Sequence, residues 1–583
     1  MSDKIVEECL GRVSDWETNM SEFFGLWNNW ANSYRMIDTR KSKRPAGVSK
    51  NITAETPRAV NALATTITSM LTAQDPYFEL RSDEVSEDML YQMEKKYQKM
   101  LTNLQFERNL LKGNRSMCLF GTQIWEEPYT SFPANTQTPL FEGTDFRAKS
   151  LLQVPFESSV YDINLSDFIG TIDRMNPNYL RFMANSGNGI WNKGLIEQGI
   201  KEKSNQSGAG FSNSSIEQRR QAAKYNESKS NNIELILWHG RLSDESMDTP
   251  EFAQMWEQSG RTDDPKFSDV TVGILNREHM VRFHPTPYGT WHHLFKIGHY
   301  MEFELEPIAY GVGKLGGELQ KDMNRIMSYV NDVAKFSLWN IFLAGRGSGL
   351  KSSNMNVFPW SAIQVDDINQ VKELRPQIEG ILNGLKLTEI TRDDFRGVTG
   401  ATATLQAILT GATATESTLA QNEAIRALSV TTRIEAATVV APHIQTMHTN
   451  FVDQNPYDTN YPRNVEVVAK ATTDRDFRPE HTKKLLEFLN LATSIRQSMP
   501  IDFNPMPVLK YFARSVGINP RELKEPRPQI DKLLDVLRRT NADSEMKNEM
   551  LGEVAGMENQ TGQQVSEPTG SIPNSPVQSL GVI

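Results

Sequence analysis

The sequence predicts an α+β fold, mainly helical, and three observations carry that reading. An apolar stripe runs through residues 314–344, from Leu315 and Leu319 through Met323, Ile326 and Val330 to Ile341 and Phe342. Spacings of three and four place it on one face of a single long helix. Most strand-like patterns fall between residues 123 and 297. The stretch Gly397–Val440 then repeats TGATAT at 399–404 and 410–415, and passes into a helix-forming run rich in Ala, Glu, Gln and Leu.

Length and composition set the outer bounds. The 583 residues exceed one simple core and imply about three or four domains. A hydrophobic content of 38% and a charged content of 23% fit a soluble globular protein. No run approaches the roughly 18 apolar residues of a membrane span, so no membrane partner is expected. The opening MSDKIVEECLGRV has no apolar core of a signal peptide. Two cysteines, Cys9 and Cys118, cannot make a disulfide framework, and a reducing compartment is expected. Cys118 lies in the apolar SMCLFGT and reads as a buried thiol. A net charge of −10 argues against gripping nucleic acid tightly through its phosphates, but is compatible with DNA sliding past. The 23 methionines and 10 tryptophans suit packing and subunit interfaces.

Taken in order, residues 3–38 read as helical, with Phe23, Phe24, Trp27, Trp30 and Tyr34 on one face. RKSKRPAGVSKN (40–51) reads as a solvated basic linker, with a DNA or partner contact as the alternative. A second helix covers 54–74 and stops at Asp75-Pro76, and PYFEL follows as a short strand. A third helix spans 86–118 and ends near Gly121. Gln123–Glu127 and Phe156–Ile163 read as strands, 176–204 as helix, and the polar 204–232 as an exposed loop. Strands resume at 232–240, 268–275, 279–284 and His293–Ile297. After the 314–344 helix, residues 345–367 interrupt with two strand-like pieces, Asn356–Phe358 and Ala362–Val365. A further helix runs from Val371 to Phe395, weakened by Pro376, Gly380 and Gly384. A helix at 415–449, a strand at 464–471 and helices at 479–497, 505–516 and 527–541 complete the chain, and the tail from Ala555 reads as disordered.

The motifs point away from catalysis. GVGKLG (311–316) matches a dinucleotide fingerprint, but that needs a preceding strand and a βαβ unit, and only the helix is predicted. Its glycines are read as letting a helix pack closely. GRGSGLKSS (345–353) is not a phosphate loop, because Leu350 stands where a glycine must precede Lys351. His279, His284, His292, His293 and His299 lack the ligand spacing of a zinc site and read as strand-borne surface residues. With no paired carboxylates, nucleophile elbow or H-E-x-x-H, no enzyme, metal or cofactor is expected.

The order of elements resembles the portal proteins, or head-to-tail connectors, of tailed bacteriophages, most closely those of short-tailed phages. Three stretches carry the resemblance: TPRAVNALATTITSMLTAQDPYFEL (56–80), AYGVGKLGGELQKDMNRIMSYVNDVAKF (309–336) with Tyr310, Gly311, Gly313 and Gln320, and ATATESTLAQNEAIRAL (412–428) with Thr413, Thr415 and Glu416. The resemblance implies a wing at 1–310 and 415–478, a first stem helix at 311–344 and a clip at 345–370. It further implies a second stem helix at 371–395, a tunnel loop at 396–414, a helical crown at 479–554 and a tail at 555–583. It also implies a ring, usually of twelve subunits, at one capsid vertex, serving genome packaging and ejection. The partners would be double-stranded DNA, the terminase large subunit, major capsid and scaffolding proteins and a tail adaptor. The location would be the virion, and the host cytoplasm during assembly. Arg396, Thr399, Thr402, Thr404, Thr410, Thr413 and Thr415 would face DNA, with hydroxyls for phosphate oxygens, and Lys386 and Arg392 would add basic contacts in the channel. Lys351, Phe358 and Trp360 would mark the clip and its partner contact. The alternatives are another virion ring component, such as a head–tail adaptor, and a nucleotide-dependent enzyme using 311–316.

Overall fold

The computed structural model describes residues 3–37, 49–73, 76–132, 141–186, 190–205, 232–260, 264–304, 306–338, 341–344, 369, 371–374, 379–401, 428–454 and 462–470. The chain forms two compact units, Met1–His481 and Thr482–Ile583, and every described residue lies in the first. That unit is α+β, and the paired strands among the described residues are all antiparallel.

The N-terminal helical stretch is two helices, α1 (Asp3–Asn19) and α2 (Ser21–Tyr34), with a turn at Met20. Met20 is buried, and the turn lets both helices face one core, where Trp16 meets Phe24 edge-on at 5.1 Å and Phe24 meets Trp27 at 5.6 Å. Helix α3 (Glu55–Leu71) buries Ala59, Val60, Leu63, Ala64 and Ile67, and β1 (Phe78–Arg81) follows. The single helix expected at 86–118 is also two, α4 (Glu87–Asn103) and α5 (Phe106–Phe120). Gln105 breaks it with φ +52°, and this turns Phe106 inward, 4.9 Å from Phe146. Gly121 ends α5 with φ +98°, where a β-carbon would overlap the Ala309 carbonyl, so only glycine fits.

The β region follows. It comprises β2 (Thr122–Glu126), β3 (Tyr129–Phe132), β4 (Phe141–Thr144), β5 (Arg147–Lys149) and β6 (Phe168–Met175), then α6 (Pro177–Ser186), α7 (Lys193–Asn205) and β7 (Ile233–Gly240). After α8 (Asp244–Met247) and α9 (Pro250–Gln258) come β8 (Val270–Leu275), β9 (His279–Pro285) and β10 (Phe295–His299). The sheets have orders β6-β7-β8-β9 and β10-β2-β5. The strand expected at 156–163 does not form. Phe156 makes one bridge to Ile169, and Asp162 caps a short turn. The true strand is β6, whose first five residues are all buried, so it lacks the alternation that marks a strand with one wet face.

The long helix α10 (Val312–Leu338) stops six residues short of the expected end at 344. Ile341–Ala344 is strand β11, paired with β12 (Val371–Leu374) in the register Ile341↔Leu374 to Ala344↔Val371. The next helix therefore starts late, as α11 (Glu379–Thr399), beyond Pro376. Short apolar runs fit strand and helix alike, which is why the sequence pattern joined them. Helix α12 covers 428–454, with a π-helical turn at Ala436–Val440 and a regular part Ala441–Gln454. Strand β13 (Glu466–Ala469) returns to pair with β1. The polar insert within 206–231, the strand-like pieces in 345–367, the helices predicted beyond 479 and the tail lie outside the described residues.

Helices α3, α5, α10 and α12 share one core with β1 and Phe146. A second core joins α1 and α2 to the four-stranded sheet, and a third lies under α6 and α7. A β-carbon at Gly316 on α10 would overlap the Phe395 ring on α11. Gly316→Ala should lower stability by about 1–3 kcal/mol in urea denaturation. Adding Phe395→Leu should recover part of the loss, because the shorter side chain vacates that space.

Candidate functional site

The helix pair α10–α11 stands out, because it is built tightly on one side and left open on two others. Gly316 meets Phe395, and Val330 meets Gly384. The contacts run in opposite directions along the two chains, so the helices are antiparallel. Both glycines remove the side chain that would hold the helices apart. Met323, Phe395, Thr388, Thr391 and Thr399 are buried along this seam. The three threonines each donate to the carbonyl four residues back, at 2.7–2.8 Å, so no hydroxyl is stranded there.

A second face of α10 holds the extended segment 49–56. Gln320, Asn324, Ser328 and Asp332, spaced by four, form a polar row. Gln320 Oε1 accepts from the Thr56 amide at 3.0 Å, and Asn324 Oδ1 accepts from the Thr53 amide at 2.7 Å. Ser328 Oγ accepts from the Asn51 amide at 3.2 Å, and Asp332 Oδ1 accepts from the Ser49 amide at 2.7 Å. The spacing was visible in the sequence, but only an i, i+4 search for polar residues would have singled it out.

Apolar side chains lie on both flanks of the buried row of α11. At about 100° per residue, Leu387, Ile390 and Val398 fall on one flank and Leu382 and Leu385 on the other. Ile390 is 59% exposed and Leu382 58%. Tyr329 of α10 is exposed as well.

The residues expected in the channel divide. Arg396 and Thr399 belong to α11 and not to a loop, because Gly400, with φ +71°, ends the helix one residue later. Thr399 is fully buried, and its carbonyl accepts from the Tyr300 hydroxyl at 3.0 Å, so its expected DNA-facing position is corrected. Arg396 is mostly covered and pairs with Asp393 at 3.1 Å. Arg392 donates through Nε to Glu55 at 3.0 Å, and Glu55 is only 1% exposed. It neutralises a buried carboxylate and so is not free for DNA, because an uncompensated buried charge is costly. Lys386 is exposed. Thr402, Thr404, Thr410, Thr413, Thr415, Lys351, Phe358 and Trp360 lie outside the described residues.

The glycines of GVGKLG are occupied by protein. Gly311 abuts the backbone of Leu119 and Gly121, Gly313 the Trp30 ring and Gly316 Phe395, which agrees with the close-packing reading. Four of the five histidines are half-buried, His299 against Thr122 Oγ1 at 3.0 Å, whereas His292 is exposed as expected and stacks on Trp291 at 3.9 Å within a 3₁₀ turn. Among the described residues, one group has metal-type donors, Glu202, Glu278 and His279, and in it His279 Nε2 and Glu202 satisfy each other at 2.6 Å. Cys118 is buried, as its context implied, and so is Cys9.

A buried polar cluster behind the pair escaped the sequence reading. Glu127 and His443 are both fully buried and meet at 3.0 Å, and Lys296 lies 3.5 Å from the same carboxylate. Burial pushes the Glu127 carboxyl up, but the His443 ring and the Lys296 ammonium outweigh it and hold it below its usual range. These residues are 316 positions apart in the case of Glu127 and His443, so no local motif could show them.

Comparison with protein-family models gives no match, and no curated protein matches the chain.

Two outcomes follow from these contacts. Arg392→Ala leaves Glu55 with only the exposed Arg58 at 3.2 Å, and should cost on the order of 1–3 kcal/mol in urea denaturation. The low Glu127 carboxyl stabilises the fold above its unfolded value near 4.5, and this is lost as pH falls through the folded value. Glu127→Gln should therefore flatten the acid limb of the stability–pH curve below that point, while lowering stability at neutral pH.

Proposed function

We propose that the chain is a subunit of a bacteriophage portal ring, the channel for genome packaging and ejection and the docking site for the terminase motor and the tail adaptor. The observation that carries this reading is the helix pair with one closed seam and two open apolar flanks. A single copy leaves both flanks in water. A closed ring needs two different, mutually complementary faces on every subunit, and flanks on opposite sides of one helix supply such faces.

In this reading α10 and α11 form the stem and residues 345–370 the clip, with Lys351, Phe358 and Trp360 as its contacts. The tunnel loop shortens to 400–414, because α11 extends to Thr399. Its small residues let many copies crowd one axis, and Thr402, Thr404, Thr410 and Thr413, with Thr415 just beyond, offer hydroxyls to phosphate. A charge of −10 per copy gives the ring a negative field, so DNA passes without sticking. Of the three basic residues singled out, Lys386 is the one free for transient contact, since Arg392 and Arg396 are engaged within the subunit. The nucleotide-enzyme reading draws no support from glycines filled by Trp30 and Phe395.

Negative-stain imaging and mass photometry of the purified full chain test the reading. Closed rings of about twelve copies are expected. The double variant Leu387→Asp/Ile390→Asp should give monomers with an unchanged circular-dichroism spectrum, since both residues are exposed in the subunit. A wild-type chain that stays monomeric at high concentration would rule the ring out.

A further inference from the structure

Glu435 is the last residue before the π-helical turn of α12, and it is fully buried. Gln123 Nε2 on β2 donates to its Oε1 at 3.0 Å, and Asn114 of α5 is the second amide against it. Asn114 spends an N–H on Thr68 Oγ1, at 3.0 Å. Three buried oxygens on the residues that meet here have no donor: Glu435 Oε2, Gln123 Oε1 and Asn114 Oδ1. A carboxylate cannot cure that shortage, since it only accepts, whereas a carboxylic acid brings one O–H.

Among the described residues, no lysine, arginine or histidine lies within ion-pair distance of Glu435. Helix α5 presents Cys118, whose thiol is pushed up chiefly by burial. Strand β10 carries His299, whose ring burial pushes below its usual value and which is bonded to Thr122. Helix α3 presents only Thr68 and Met70, the latter touching Thr432.

We propose that Glu435 is a proton-operated latch: protonated, it fastens α12 to α5 and β2, and loss of the proton frees residues 428–440 through the adjoining π-turn. A π-turn carries an extra residue relative to the α-helix. Its conversion to α-helix rotates the preceding stretch by about 100°. That motion carries Glu435 from the core toward water, where a carboxylate is stable, and the proton passes to solvent. The joint is tightly built when closed. Val439 packs beside Gly298 of β10, where a β-carbon would sit only 2.9 Å away.

Burial pushes the Glu435 carboxyl up to about 8, against the smaller pull of Gln123 and Asn114. The folded state then keeps a proton that the unfolded chain loses above its usual value of 4.5, so stability falls as pH rises from there to about 8. Above that point the latch is open.

Hydrogen exchange of 428–440 at pH 7 and about pH 9.5, corrected for the intrinsic rate, tests this in wild type and in Glu435→Gln. The wild type should show a rise of roughly tenfold or more, and the amide variant, which cannot ionise, none. Difference infrared spectroscopy of the wild type over the same pH step should show a protonated-carboxyl stretch disappearing, and this readout stands even if the variant fails to fold. Equal exchange in both proteins, or no carboxyl change in the wild type, would overturn the latch.

Discussion

Close approach of α10 to α11 is the constraint on which the rest of this unit depends. Gly316 against Phe395 and Gly384 against Val330 bring the helices together without intervening side chains. Once they are that near, the apolar residues beside the seam have nowhere to go but the flanks. The same closeness brings Arg392 onto Glu55 and so ties α11 to α3. The Gln320–Asp332 row then binds the segment that leads into α3. Three parts of the chain distant in sequence are thereby held by one helix.

The base of the excursion between the two helices follows from the same arrangement. Strands β11 and β12, which follow α10 and precede α11 in the chain, pair with each other, so the chain leaves and re-enters the excursion side by side. The far end is closed differently. Gly400 stops α11, and the Tyr300 hydroxyl fixes the Thr399 carbonyl.

The interior behind the pair is unusually polar for a core. Glu127, His443, Lys296, Gln123, Asn114 and Glu435 are all buried where α5, β2, β10 and α12 meet. The Glu127 group is compensated by opposite charge, while Glu435 is compensated by remaining neutral. Two carboxyls in one core therefore shift in opposite directions, because among the described residues only Glu127 has the Lys296 ammonium and the His443 ring against it.

The sequence by itself determined the α+β class, the existence of the two long helices, the strands β7 to β9 and the burial of Cys118. These rest on periodicity and local context, which act within a few residues. It also marked the glycines of 311–316 as packing glycines. Tertiary structure alone decided where helices break. Gln105 takes a left-handed turn because Phe106 gains a buried place beside Phe146, and no local signal announces that. It decided that Ile341–Ala344 is strand, since β12 supplies the hydrogen-bond partner from thirty residues away. It decided that Arg392 and Thr399 are structural, because Glu55 and Tyr300 reach them only after the helices have packed. Each of these depends on which distant surface arrives opposite a residue, and that is fixed by packing and not by the residue's own neighbours in the chain.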